Sequence, residues 1–204
     1  MLTNPGRYGV WVRGGLIAPV LGAFGWTLLA QDRGAQPTTA NPSPITTNQA
    51  GKMKATKPSD KEIVLTGRFA APRQAVFDAL TQSKHLVHWL KTTNMALVGC
   101  EVDARVGGTL RYVFQRPSGR KLEVRGAYTA FDPPRRFEYT ETYDFTPLTV
   151  LVTTALDEED GKTIFKQTLR YASKQERDDD FEPVSTSANE VYPNLARYLA
   201  QGAR

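Results

Sequence analysis

The chain is poor in the residues that build metal centres and covalent staples, with one cysteine, two histidines and three methionines among 204 residues. The lone Cys100 excludes an intrachain disulfide and, with no evident histidine partner, reads as a small buried apolar side chain. His85 and His88 stand at a spacing that suits shared ligation. No other Cys or His completes a set with them, so no metal is expected. The acidic runs 157–160 and 178–180 lack the alternating ligands and closing glutamate of a calcium loop. They read as a hairpin tip and a solvated helix start. No Ser-His-Asp set or nucleotide loop is present either, and no cofactor is expected.

An excess of positive charge is missing from the body of the chain as well. The formal net charge is +5, but residues 1–60 carry six Lys/Arg against two Asp/Glu, and residues 61–204 carry twenty against nineteen. A nucleic-acid binder concentrates its cations on the folded domain, so that class of partner is excluded.

The long uncharged stretch that is also apolar lies between Arg13 and Asp32. Its Leu16, Ile17, Val20, Leu21, Phe24, Trp26, Leu28 and Leu29 follow Arg7 and Arg13. Residues 1–30 therefore resemble a signal peptide or membrane anchor, with membrane contact confined to residues 14–30 if they are retained. Residues 31–60 hold Pro37, Pro42, Pro44 and Pro58 among many Thr, Asn and Gln, and are expected to be a disordered linker. Met53 offers a second start. Export or tethering follows if residues 1–30 are translated, and a cytoplasmic domain if translation begins at Met53.

Residues 61–204 carry the patterned sequence. Gly107 and Gly108 precede Leu110, Tyr112 and Phe114, which alternate as in a strand with one buried face. A phosphate-binding loop needs a helix at that point, so the glycines read as a tight two-residue hairpin turn. Strand character recurs over 63–69, 97–103, 110–115, 122–131, 137–143, 148–156 and 163–171, with turn residues between. Ala71-Pro72 opens a helix carrying Val76, Phe77 and Leu80, and Ser83 is placed to cap a second one carrying Leu86, Trp89 and Leu90. Ser173 with Glu176, and Ser187 with Glu190, form two capping boxes. They predict a short closing helix and then a longer one kinked at Pro193. The fold class is α+β: a helix-grip (START/Bet v-like) arrangement, in which a curved antiparallel sheet wraps a long C-terminal helix.

The motifs also resemble a known family. Arg68-Phe69, Ala71-Pro72, Val76-Phe77, Ala79, Thr81, His85-Leu86 and Trp89 are similar to the opening of the domain related to the activator of the heat-shock-protein-90 ATPase, in the START-like (SRPBCC) superfamily. Asp103, Arg105 and Gly107-Gly108 resemble its glycine turn. Gly126, Tyr128, Asp132-Pro133-Pro134, Arg136 and Tyr139 resemble its central hairpin. Gly161, Thr163, Tyr171-Ala172-Ser173 and Glu176-Arg177 resemble the approach to its terminal helix. The likeness runs from Glu62 to about Gln201. Two departures are Trp89-Leu90, where paired tryptophans are common, and Pro183 to Ser187, where a glycine often stands.

The resemblance implies an apolar cavity between the sheet and the terminal helix, holding a hydrophobic small molecule or lipid. Alternation nominates Tyr112, Phe114, Tyr128, Phe137, Tyr139, Phe165, Leu169, Tyr192 and Leu195 for the inward side, with Trp89 beside the pocket. Glu141 and Gln167 fall in the same phase. Buried there, each needs a partner: one another, water or a ligand head group. A bulge that shifts the strand phase is the alternative. Three functions follow: a non-catalytic ligand-binding domain, a chaperone-associated interaction module, or a cyclase- or dehydratase-like enzyme with Glu141 as its acid.

Overall fold

A computed structural model describes residues 51–202. The signal or anchor segment 1–30, and the linker as far as residue 50, lie outside the described residues. The elements run β1 (Lys54–Ser59), β2 (Glu62–Phe69), α1 (Arg73–Thr81), α2 (Ser83–Trp89), β3 (Ala96–Val102), β4 (Thr109–Gln115), β5 (Lys121–Asp132), β6 (Arg136–Tyr143), β7 (Thr146–Glu159), β8 (Lys162–Arg170) and α3 (Lys174–Ala200). One eight-stranded antiparallel sheet has the order β1-β2-β8-β7-β6-β5-β4-β3, and its inner face packs on α3. This is the α+β helix-grip fold.

Alternation builds that inner face. Leu110, Tyr112 and Phe114 of β4, Phe137, Tyr139, Glu141 and Tyr143 of β6, and Phe165, Gln167 and Leu169 of β8 are all buried. The opposite side of the same strands carries an Arg/Glu ladder, in which Arg111 Nε donates to Glu123 at 2.8 Å.

Strand β1 corrects the linker boundary, because its residues belong to the sheet. Lys54–Ser59 is polar and contains Pro58, so it has no alternating pattern to read. Pairing comes from β2, with Ala55 opposite Leu65, and proline is tolerated at a sheet edge. Just before it, Met53 is buried, its backbone N–H donates to Asn189 Oδ1 at 3.1 Å, and its sulfur fills the space over Gly67.

Three local expectations also change. The β3–β4 connection spans residues 103–108 and is not a two-residue turn. Only Gly107 has positive φ (78°), while a Cβ on Gly108 would lie 2.0 Å from the Asp103 carbonyl oxygen. Ser83 does not cap α2, whose N-cap is Gln82. Finally, the two closing helices are one helix of 27 residues that contains Pro183 and Pro193. Its Ser173–Glu176 capping box forms as expected. Ser187, by contrast, lies inside the helix and donates to the Val184 carbonyl at 3.1 Å. An interior proline costs roughly 3 kcal/mol. Burying Val184, Ala188, Val191, Tyr192 and Leu195 completely offsets it, at about 1.5–3 kcal/mol for each large side chain.

Candidate functional site

Strands β4, β5, β6 and β8 bring their inward side chains beneath α3, and α2 closes the space from one end. Trp89 fixes that helix, since its Nε1 donates to the Ala79 carbonyl at 2.9 Å and its ring stacks on Tyr192. The space left among them is a cavity of about 30 Å³, the volume of about one water molecule. Trp89, Tyr112, Tyr128, Tyr139, Glu141, Gln167 and Tyr192 line it, together with Leu80, Leu86, Leu90 and Phe137. Phe114, Leu169 and Leu195 are buried as expected but pack in the core behind it rather than on its wall.

The phase of β6 and β8 holds through Glu141 and Gln167, which excludes the bulge. The two side chains do not pair with one another. Glu141 accepts from the Tyr143 hydroxyl at 2.9 Å and from the Tyr139 hydroxyl at 3.5 Å, the second being long for such a bond. Gln167 accepts from the Tyr192 hydroxyl at 2.9 Å and donates to Thr154 Oγ1 at 3.2 Å. By contrast, the Tyr112 and Tyr128 hydroxyls make no hydrogen bond with any of the described residues; their side chains are buried against the cavity, yet neither oxygen is among the buried polar atoms left without a partner, so each keeps accessible surface. Each hydroxyl can therefore hydrogen-bond to water or to a guest there.

Burial pushes the Glu141 carboxyl up to about 7; the charge of Asp180 adds to this, and the hydroxyls of Tyr143 and Tyr139 oppose it. Near neutrality the group is therefore able both to donate and to accept a proton. Asp180 itself is fully buried and accepts from the Tyr171 hydroxyl at 2.7 Å. This corrects the reading of 178–180 as a wholly solvated run. Its signal was available in helix spacing, because 180, 184 and 188 share one face. Tyr143 and Thr154 were likewise legible from strand phase, as polar groups in step with Glu141 and with Val150 and Val152. Burial and the neighbouring Glu101 push the Cys100 thiol up to about 11, which keeps it protonated.

Both histidines meet one tyrosine. His85 Nδ1 lies 2.6 Å from the Tyr198 hydroxyl, and the His88 ring stacks on the Tyr198 ring at 5.4 Å. Among the described residues no group of three or more His, Cys, Asp or Glu side chains is placed to hold a metal ion, and no helix is long and apolar enough to cross a membrane.

A curved antiparallel sheet gripping one long helix, with a small polar-lined cavity between them, defines a START-like helix-grip domain. A family model described as activator of Hsp90 ATPase homolog 1-like protein matches residues 70–200. The chain belongs to that family. Among solved structures, a Rhodobacter sphaeroides protein is 27% identical with a TM-score of 0.71, over 74% of this chain and 99% of that one. A Nitrosomonas europaea protein, 20% identical with a TM-score of 0.65 over 72% and 99%, shares the fold. So does an AHSA1-like protein from Aeromonas hydrophila, 17% identical with a TM-score of 0.54 over 70% and 94%. No curated protein matches the chain.

Proposed function

We propose that this domain is a non-catalytic binding module for a small amphipathic molecule, with an aromatic or aliphatic body and a hydrogen-bonding polar end. The observation that carries this reading is the pair of accessible phenols, Tyr112 and Tyr128, set beside Glu141 and Gln167 in a cavity walled otherwise by aromatic and aliphatic side chains. The polar end would accept from the two phenols and exchange a hydrogen bond with Glu141. Ligand sites commonly measure about 300–1,000 Å³, so a whole ligand requires the space to open. The groups to move are the Leu80, Leu86 and Leu90 side chains, which line the space and are tied by no side-chain hydrogen bond.

A start at Met53 leaves Trp89 as the sole tryptophan, because Trp11 and Trp26 precede it. Titrating that protein with fatty acids and flat phenols should change Trp89 emission saturably. Tyr112→Phe combined with Tyr128→Phe should weaken polar-ended ligands at least tenfold while sparing purely apolar ones. Equal binding of both ligand types by parent and double variant would remove the role given to the hydroxyls. Failure of a broad panel would remove the binding module itself. The chaperone-directed reading suggested by the family's description would then take its place, and stimulation of the heat-shock ATPase would test it. The acid–base capacity of Glu141 favours one second reading, a cyclase or dehydratase. Turnover of a bound ligand that is lost in Glu141→Gln would establish it.

A further inference from the structure

Two surface grooves adjoin at Lys91, away from the interior cavity. One, of about 420 Å³, lies between the end of α2 and the last turns of α3, with His88, Asn194, Arg197 and Tyr198 in its wall. The other, of about 300 Å³, lies between residues 92–98 and the β4–β5 turn, where Arg116 stands. No carboxylate lines either groove. That contrasts with the outer face of the sheet, where Arg111 meets Glu123 at 2.8 Å, Arg136 meets Glu138 at 2.9 Å, and Arg170 meets Glu62 at 2.7 Å. Among the described residues Lys91, Arg116 and Arg197 enter no ion pair.

The walls are also held in place. Asn194 Nδ2 donates to the Lys91 carbonyl at 2.9 Å, pinning the junction, and Arg197 donates to Asn194. Tyr198 is fixed by the contact of its hydroxyl with His85 and by the stacked His88 ring. Cations near helix C-termini also complement the helix dipole, which gives Lys91 and Arg197 a structural reason to be there. That reason does not extend to Arg116, which follows a strand. The Lys91 ammonium is shared by both grooves, with the Arg197 guanidinium and the His88 imidazole in one and the Arg116 guanidinium in the other, which exceeds what a single carboxylate needs. These groups match the several acceptor oxygens and double charge of a phosphate monoester.

We infer that the grooves meeting at Lys91 form a binding site for a phosphate monoester group, independent of the interior cavity. That group could belong to a soluble metabolite or to a lipid headgroup, and the test separates the two. The isotope-labelled full chain is titrated with glycerol 3-phosphate at constant ionic strength and followed by NMR, and its sedimentation with phosphatidic acid vesicles is measured in parallel. The two histidines of the chain give separate ring signals. Glycerol 3-phosphate should shift amides of residues 88–98, 115–117 and 194–201 and the His88 ring signals saturably. Lys91→Ala combined with Arg197→Ala should weaken this response at least tenfold, while Arg125→Ala on the outer face leaves it unchanged. If the pair fails to fold, Arg116→Gln alone should weaken the response severalfold. Binding to vesicles but not to glycerol 3-phosphate, lost with Lys91→Ala, would assign the group to a lipid. A response that chloride reproduces at the same ionic strength, or that survives loss of Lys91 and Arg197, overturns the site, as does silence in both arms.

Discussion

Glu123 and Glu141 stand on adjacent, paired strands of one sheet and face opposite ways, and that alone gives them opposite chemistry. On the outer face the guanidinium groups of Arg111 and Arg125 hold the Glu123 carboxyl down at about 2. On the inner face burial pushes Glu141 up to about 7. The difference teaches that a carboxylate in a strand has no fixed role. Water and mobile cations satisfy the outer one at little cost, whereas the inner one depends on hydroxyls fixed by the fold.

The widest contrast between the faces lies in packing. Phe165 on the inner face is fully buried and meets the ring of Tyr192 at 4.9 Å. Phe165→Ala should lower unfolding free energy by about 3–5 kcal/mol in urea titrations. A loss of under 1 kcal/mol would mean that the core closes over the gap and that the faces differ less than described.

Next comes the pH dependence. The folded-state pKa of Glu141 is raised from 4.5 to about 7. Between those values the folded state binds more protons than the unfolded one. Stability from this group is therefore greatest below about pH 4.5 and is lost as pH rises through 7, by about 3 kcal/mol in all. Glu123 has the opposite sign, since its pKa is depressed: its contribution is present above pH 4.5 and fades as pH falls toward 2. Glu141→Gln should remove the decline between pH 4.5 and 7 in denaturant melts while leaving the acid limb unchanged. A decline of the same size in the variant would assign it to another group.

A smaller effect belongs to the loop between β3 and β4, which joins the faces at the rim. Gly107→Ala meets open space and should cost about 1 kcal/mol for its positive φ. Gly108→Ala must displace the Asp103 carbonyl, and its larger loss, about 1–3 kcal/mol, should show in the same melts. Equal losses would mean that the loop yields freely. The smallest effect returns to the outer face. Arg125→Ala removes an exposed partner of Glu123, which keeps Arg111. Its unfolding midpoint should nearly coincide with that of the parent and merge with it in high salt. A clear, salt-resistant loss would show that the ladder supports the sheet.

Much of the inner face was legible because its signals are local. Leu110, Tyr112 and Phe114 alternate over a few residues, and Ser173 with Glu176 completes a cap within one helical turn. The fold class, the inward phase of Glu141 and Gln167, and most of the cavity wall follow from such patterns. The wall was overdrawn where depth mattered. Phe114, Leu169 and Leu195 have the right phase, but phase does not tell a residue on a cavity from one packed behind it.

What the sequence by itself determined is therefore the set of elements that own a buried face, because side-chain periodicity is written in neighbouring residues. Only the tertiary structure decided which partners meet across that interior. β1 exists through pairing with β2 and has no apolar pattern of its own. α3 runs through Pro183 and Pro193 because the sheet buries its face, overriding the local propensity to break. Gln167 is matched by Tyr192, 25 residues away, whereas Tyr112 and Tyr128 are left facing a cavity of about 30 Å³. These outcomes depend on distances between strands and helix after packing, which no short window of sequence contains.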